Sequence, residues 1–94
     1  MTTRETLIAA RAAIVACGWA QGCYRNTRGQ VCALGAIEAA TGRMGAEGEP
    51  AAAALTLAVG GRLAAWNDAP GRTVEEVLSA FDRAIAATGT PRAT

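Results

Sequence analysis

Three cysteines are the residues of this chain with the most obvious chemistry. Cys17, Cys23 and Cys32 are widely spaced in a sequence without histidine, so they lack the ligand that completes many zinc sites and the base that usually activates a catalytic thiol. We therefore expect no metal site and no cysteine protease. The simplest interpretation is buried free thiols, which behave as small hydrophobic groups; a disulfide and a reactive thiol are the alternatives.

Carboxylates offer a second route to catalysis, as general acid and base pairs. Glu75 and Glu76 are adjacent, and neighbours on a helix point in different directions, while Asp68 and Asp82 are typical of capping and solvated positions. The glycine pair at 60–61 lacks the spacing and the lysine of a phosphate loop. The sequence therefore predicts a protein that is not an enzyme and that holds no cofactor.

An aromatic and basic cluster lies in the stretch GWAQGCYRNTRGQ, residues 18–30. Trp19, Tyr24, Arg25 and Arg28 are of the types that dominate protein interfaces, so they are the candidate partner-binding residues. The alternative is that Trp19 fills the core while the arginines are solvated. Stacking of a nucleic-acid base on Tyr24 would need a surrounding basic groove, which the sequence does not supply.

A second cluster follows at Trp66, where the chain reads WNDAPGRTVEE. We interpret Trp66 as a core residue, and Asn67 and Asp68 as turn residues whose side chains bond neighbouring backbone. The functional alternative is a polar cluster of Asn67, Asp68 and Arg72 that faces a small molecule or nucleotide.

The residues after this cluster predict a turn and a helix start. Pro70 and Gly71 suit a type II turn, because only glycine accepts positive φ cheaply at its third position. Thr73 and Glu76 have the spacing of a capping box, in which each side chain bonds the other residue's backbone amide. A helix is therefore predicted over about residues 73–87.

Length and charge limit the classes of protein. The 94 residues form one domain, with a tail at 88–94 that we expect to fray. All basic residues are arginine and the net charge is only +1, so nucleic acid is not an expected partner. We find neither a signal peptide nor a membrane span and expect a cytoplasmic protein.

The first half of the chain predicts two helices with a hairpin between them. Thr2 and Glu5 form a capping box for a helix over about 3–17, and a second helix covers about 31–41, where Gly35 implies that another backbone passes close by. A small β-hairpin is predicted over about 22–32. A type I turn with a glycine bulge would place Tyr24 opposite Cys32, whereas a symmetric two-residue turn would place Cys23 there and permit a disulfide.

A helix over about 50–59 completes a mainly α fold, a compact bundle of four short helices and one β-hairpin. We expect the helix to stop at Gly60, with a short second turn from Arg62 to Trp66, because two glycines cost about 2 kcal/mol of helix propensity; a continuous helix is the alternative. The predicted core comprises Leu7, Ile8, Ile14, Val15, Val31, Leu34, Ile37, Leu55, Val59, Leu63, Trp66, Val74, Val77, Leu78, Phe81 and Ile85.

Three motifs together, GWAQG (18–22), VCALGAI (31–37) and WNDAPGRTVEEVLSAFDRAI (66–85), resemble a small family of unknown-function proteins encoded in actinobacterial genomes and their phages. The resemblance covers most of the chain and implies an intracellular accessory protein without catalytic residues. A phage or mobile-element setting favours a protein that acts on a host protein. The expected function is thus a non-enzymatic interaction module with a protein partner, and a homodimer is one form of it.

Overall fold

The computed structural model describes residues 2–42 and 48–89, and in these residues five α-helices are formed. Helix α1 spans Thr3–Cys17, α2 Ala33–Thr41, α3 Gly48–Val59, α4 Leu63–Asn67 and α5 Val74–Gly89. The mainly helical fold is confirmed, but the predicted count of four helices is wrong because α4 is a separate helix. Helix α5 ends two residues later than predicted, and residues 90–94 of the predicted frayed tail lie outside the described residues.

Local signals set the ends of the helices. The Thr2 hydroxyl accepts from the Glu5 amide at 3.0 Å and the Glu5 carboxylate accepts from the Thr2 amide at 2.8 Å, which confirms the capping box of α1. The predicted break after α3 is also confirmed, since Gly60 adopts a φ of 78° that a continuing helix does not allow. Helix α4 then begins after Arg62.

The predicted β-hairpin is wrong, because the part of the chain that the structure describes contains no strand. Instead, Val31 makes isolated bridges, parallel to Trp19 and antiparallel to Arg25. The turn itself is present: the Gly29 amide donates to the Asn26 carbonyl at 3.0 Å, and Gly29 has a φ of 81°. The pairing extends no further than Cys32, whose amide donates to the Tyr24 carbonyl, because Cys32 is already the N-cap of α2.

The core lies where α1, α2, α3 and α5 meet. Two predicted core residues on α1 are wrong, since Ile8 is 42% and Val15 63% exposed. The buried stripe of α1 runs through Leu7, Ala10 and Ile14, and the spacing of Ile8 and Val15 repeats just as regularly on the neighbouring face. Periodicity alone therefore did not distinguish the buried face from the exposed one.

Most other predicted core residues are buried or half-buried. Fully or almost fully buried are Leu7, Ile14, Val31, Ile37, Leu55, Leu63, Val77 and Phe81. Half-buried against this core are Leu34, Val59, Trp66, Val74, Leu78 and Ile85. The prediction missed the alanines at closely packed helix contacts, Ala10, Ala33, Ala36, Ala51, Ala80 and Ala84. Across residues 2–42 and 48–89, no helix combines the length and apolarity needed to cross a bilayer.

Candidate functional site

The centre of the candidate site is the buried side chain of Asn67, the last residue of α4, which is 1% exposed. Its Oδ1 accepts from the Trp19 indole Nε1 at 2.8 Å and from the Ala33 amide at 3.1 Å. Its Nδ2 donates to the Ala20 carbonyl at 3.1 Å and to Asp68 Oδ1 at 2.9 Å. Two donor hydrogens and two accepted bonds fill the bonding capacity of the amide, so Asn67 joins α4 to the start of α2 and to the segment before it.

Asp68 and Gln21 extend this network to residues 18–32, which we call the presenting loop. Asp68 Oδ1 accepts from the Gly22 amide at 2.9 Å. Gln21 Nε2 donates to the Asn67 and Ala69 carbonyls, at 3.0 Å each. The Gly22 amide and then the Asn67 side chain hold the pKa of the Asp68 carboxyl below its ordinary value. Asn67 and Asp68 thus bind mainly a distant loop, rather than the backbone of their own turn.

The presenting loop is also fixed from the side of α2. The Cys32 amide donates to the Tyr24 carbonyl at 3.2 Å, and a Cβ added to Gly35 would overlap that same carbonyl oxygen. The close backbone approach predicted at Gly35 is therefore confirmed. Only glycine allows α2 to lie this close to the loop.

Trp19 and the three other candidate partner-binding residues differ in their surroundings. Trp19 is half-buried against the core and donates to Asn67, so it supports the loop from inside. Tyr24 is 51% exposed, and Arg25 and Arg28 are exposed as well. Neither guanidinium makes an ion pair or a hydrogen bond with any described residue. Three of the four residues are therefore exposed on the presenting loop, where Tyr24 and Arg25 line different cavities. We call these three residues the Tyr24 surface, and Trp19 supports the loop that carries them.

The turn after α4 matches its sequence. The Arg72 amide donates to the Ala69 carbonyl at 3.1 Å across Pro70, and Gly71 has a φ of 81°. These are the features of the predicted type II turn.

The capping box that starts α5 is confirmed as well. The Thr73 amide donates to Glu76 Oε1 at 2.9 Å, and the Glu76 amide donates to the Thr73 hydroxyl at 3.2 Å. The Thr73 amide is the main reason that the pKa of Glu76 lies below its ordinary value.

Arg72 lies away from the Asn67 network. Its guanidinium covers the Trp66 ring at 4.1 Å from the ring centroid, and its Nε donates to the Trp66 carbonyl at 2.9 Å. Its Nη1 is 3.5 Å from Glu76 Oε1. Arg72 lines a groove with Trp66 and Glu76, whereas Asp68 lines a separate cavity.

That separate cavity has a volume of about 90 Å³ and contains two of the thiols. It is lined by Gly22, Cys23, Tyr24, Cys32, Leu34, Ala64, Asn67 and Asp68. All three cysteines are free; Cys32 is buried, but Cys17 and Cys23 are exposed, so the prediction of buried thiols is wrong for those two. Among the described residues, no three His, Cys, Asp or Glu side chains are placed to share a metal ion.

The Cys32 thiol caps α2. Its Sγ accepts from the Gly35 amide at 3.2 Å. Burial raises the pKa of this thiol, the Gly35 and Leu34 amides oppose the rise, and the Asp68 carboxylate adds to it. Cys32 is therefore a poor first nucleophile, because the thiolate is the reactive form.

Sequence reasoning missed the link between the two motifs GWAQG and WND. Nothing local distinguishes an asparagine that serves its own turn from one that binds a loop 46 to 48 residues away. The sequence offered one signal for this link. The side chains of Trp19, Gln21 and Asn67 can all form hydrogen bonds when they are partly buried.

Comparison with known proteins gives a family without a function. A family model described as "Family of unknown function (DUF6197)" matches residues 1–87. Searches of curated proteins and of solved structures found no match. Since the family model covers all the described helices except the last two residues of α5, this chain belongs to the DUF6197 family of unknown function.

Proposed function

We propose that this protein is a non-enzymatic interaction module that binds a partner protein through the Tyr24 surface. The observation that supports this most is the contrast between a fixed backbone and free side chains. Asn67, Asp68 and Gly35 hold the presenting loop from two sides, while Tyr24 is 51% exposed. A loop already ordered before binding loses little conformational entropy on association.

The charges of the Tyr24 surface favour an acidic partner. Arg25 and Arg28 are exposed and make no ion pair with the described residues. Arginine offers a planar set of donors that matches a carboxylate in two-point contacts. We therefore propose that an acidic segment lies against Tyr24 and the two guanidinium groups.

The proposal also covers the cellular compartment and the kind of partner. Three free cysteines fit a reducing compartment, so we propose that the protein acts in the cytoplasm. The resemblance to proteins of actinobacteria and their phages suggests a host protein as the partner. A homodimer through the same surface is the competing arrangement.

The alternative of a small-molecule or nucleotide site at Asn67, Asp68 and Arg72 has less support. Asn67 has no bonding capacity left for a ligand. Arg72 bonds the Trp66 carbonyl and faces a different groove from Asp68. A nucleotide would need these groups to converge on one cavity.

Affinity capture from the native host tests the proposal. The triple variant Tyr24→Ala, Arg25→Ala and Arg28→Ala should lose the partner, and capture by the wild type should weaken as salt is raised. The matched control is Arg4→Ala with Arg62→Ala, which removes two exposed arginines elsewhere and should keep the partner. Equal capture by wild type and triple variant would contradict the proposal. If the wild type and the control variant self-associate and the triple variant does not, the partner is a second copy of the chain instead of an acidic protein.

A further inference from the structure

We infer that Cys23 and Cys32 form a redox-active thiol pair, which a peroxide converts into a disulfide across the base of the presenting loop. Both thiols line the same cavity of about 90 Å³. The backbone brings their segments together, because the residue after Cys23 accepts a hydrogen bond from the Cys32 amide at 3.2 Å. This contact places Tyr24 opposite Cys32 and Cys23 one residue away from that pair, so the shared cavity, rather than a direct opposition of the two cysteines, supports the pairing.

The two thiols have different surroundings, and these set their roles. Cys23 is exposed and is the thiol that a dissolved peroxide reaches first. Cys32 is 7% exposed, its Sγ is held by the Gly35 amide, and the Asp68 carboxylate lines the same cavity. Cys32 is thus shielded from the oxidant but lines the same cavity as the cysteine that the oxidant modifies. Cys17, at the end of α1, does not line this cavity.

The reaction proceeds in two balanced steps. The Cys23 sulfur attacks one peroxide oxygen, the O–O bond breaks, and a sulfenic acid and one water form. The Cys32 sulfur then attacks the Cys23 sulfur, the S–S bond forms, the S–O bond breaks, and the leaving hydroxide takes the thiol proton as a second water. Two thiols lose two hydrogens in total, and one hydrogen peroxide is reduced to two waters.

The disulfide would close a ring around Tyr24, Arg25 and Arg28, so oxidation changes the segment that carries the Tyr24 surface. The Cys32 sulfur would also become a weaker acceptor for the Gly35 amide. The thiol pair needs no partner protein, so its chemistry is independent of the proposed interaction.

The test is mass spectrometry of the purified chain before and after a low dose of hydrogen peroxide. Oxidation should remove two hydrogens from the intact mass of the monomer and leave one of the three cysteines open to alkylation after denaturation. Cys17→Ser should retain this change and Cys23→Ser should lose it. In Cys17→Ser, cleavage after Arg25 and Arg28 should leave the Cys23 and Cys32 peptides joined until a reductant is added.

Cys32→Ser tests the order of the steps. Serine is a good N-cap, so this variant should fold, and circular dichroism checks that it does. Without the second thiol, Cys23 should accumulate as a sulfenic acid that a cyclic dione traps, whereas Cys32 in Cys23→Ser should remain unlabelled. Oxidation that yields only sulfinic acid, a dimer linked through Cys17, or trapping at Cys32 instead of Cys23 would overturn the inference.

Discussion

The indole nitrogen of Trp19 donates to the side-chain oxygen of Asn67 at 2.8 Å, across 48 residues of sequence. This bond joins the GWAQG motif to the WND motif inside the molecule. Both motifs therefore have a structural role. The GWAQG motif fixes the segment after α1, and the WND motif fixes the end of α4. The surface residues near Tyr24 depend on that internal connection for their position.

Asn67→Ala should strongly destabilise the protein. The substitution removes four hydrogen bonds, and since each buried polar group left unpaired costs about 1 to 3 kcal/mol, we expect a loss of about 3 kcal/mol or more in the free energy of unfolding. Trp19→Phe, which removes one donor and keeps an aromatic ring, should cost only about 1 to 2 kcal/mol. Denaturant melts measure both. A loss below about 1 kcal/mol for Asn67→Ala would contradict the central role of this amide.

Gly35→Ala should displace or destabilise the presenting loop. The new Cβ would meet the Tyr24 carbonyl, a backbone group that moves only if the whole segment moves. We expect a loss of about 2 kcal/mol or more, although alanine is about 1 kcal/mol better than glycine within a helix.

Gly61→Ala is the control for the same chemical change. Gly61 has open space around its would-be Cβ and no positive φ, so alanine should be neutral or stabilise by about 0.4 to 1 kcal/mol. Thermal and denaturant melts of the two variants measure the difference. Similar stability of both would show that α2 does not depend on the close approach.

Phe81→Ala tests the packing of α5. Phe81 has the largest of the fully buried side chains among the described residues, so its truncation should cost about 3 to 5 kcal/mol. Leu57→Ala is the matched control, because Leu57 is 83% exposed and exposed positions usually change stability by less than about 0.5 kcal/mol. Chemical denaturation measures both losses, and a loss below about 1 kcal/mol for Phe81→Ala would make the core assignment wrong.

Acid should weaken the attachment of the loop through Asp68. The pKa of Asp68 is lower in the folded chain than its ordinary value, so its contribution is complete above about pH 4, where the unfolded carboxyl is ionised. The contribution is lost as the pH falls further, through the folded-state pKa. Asp68→Asn keeps an acceptor for the Gly22 amide but does not titrate, so its stability should fall less steeply below about pH 4 than that of the wild type.

Unfolding curves measured at a series of acidic pH values test this difference. Glu5 and Glu76 have pKa values shifted in the same direction, so part of the acid sensitivity remains in Asp68→Asn. Glu75→Gln is the control for loss of one carboxylate charge, and it should retain the portion due to Asp68. Parallel curves for wild type and Asp68→Asn would show that this carboxylate does not support the loop.

Much of the local structure was predicted from the sequence alone, because its causes lie within a few residues of one another. The two capping boxes, the Pro70 and Gly71 turn and the break at Gly60 each depend on a hydrogen bond or a backbone angle between near neighbours. Such signals are complete within a short stretch of chain.

Only the tertiary structure decided which side chains contact residues that are far away in the sequence. Helix α1 carries two equally regular apolar stripes, and only the packing of α2 and α5 determines which stripe is buried. Leu7 is therefore buried, while Ile8 is exposed. The hairpin was replaced by isolated bridges because Val31 is followed at once by the cap of α2. Asn67 became the link between two distant motifs because burial gave it partners from both, and no local rule describes a hydrogen bond that only the folded chain brings within reach.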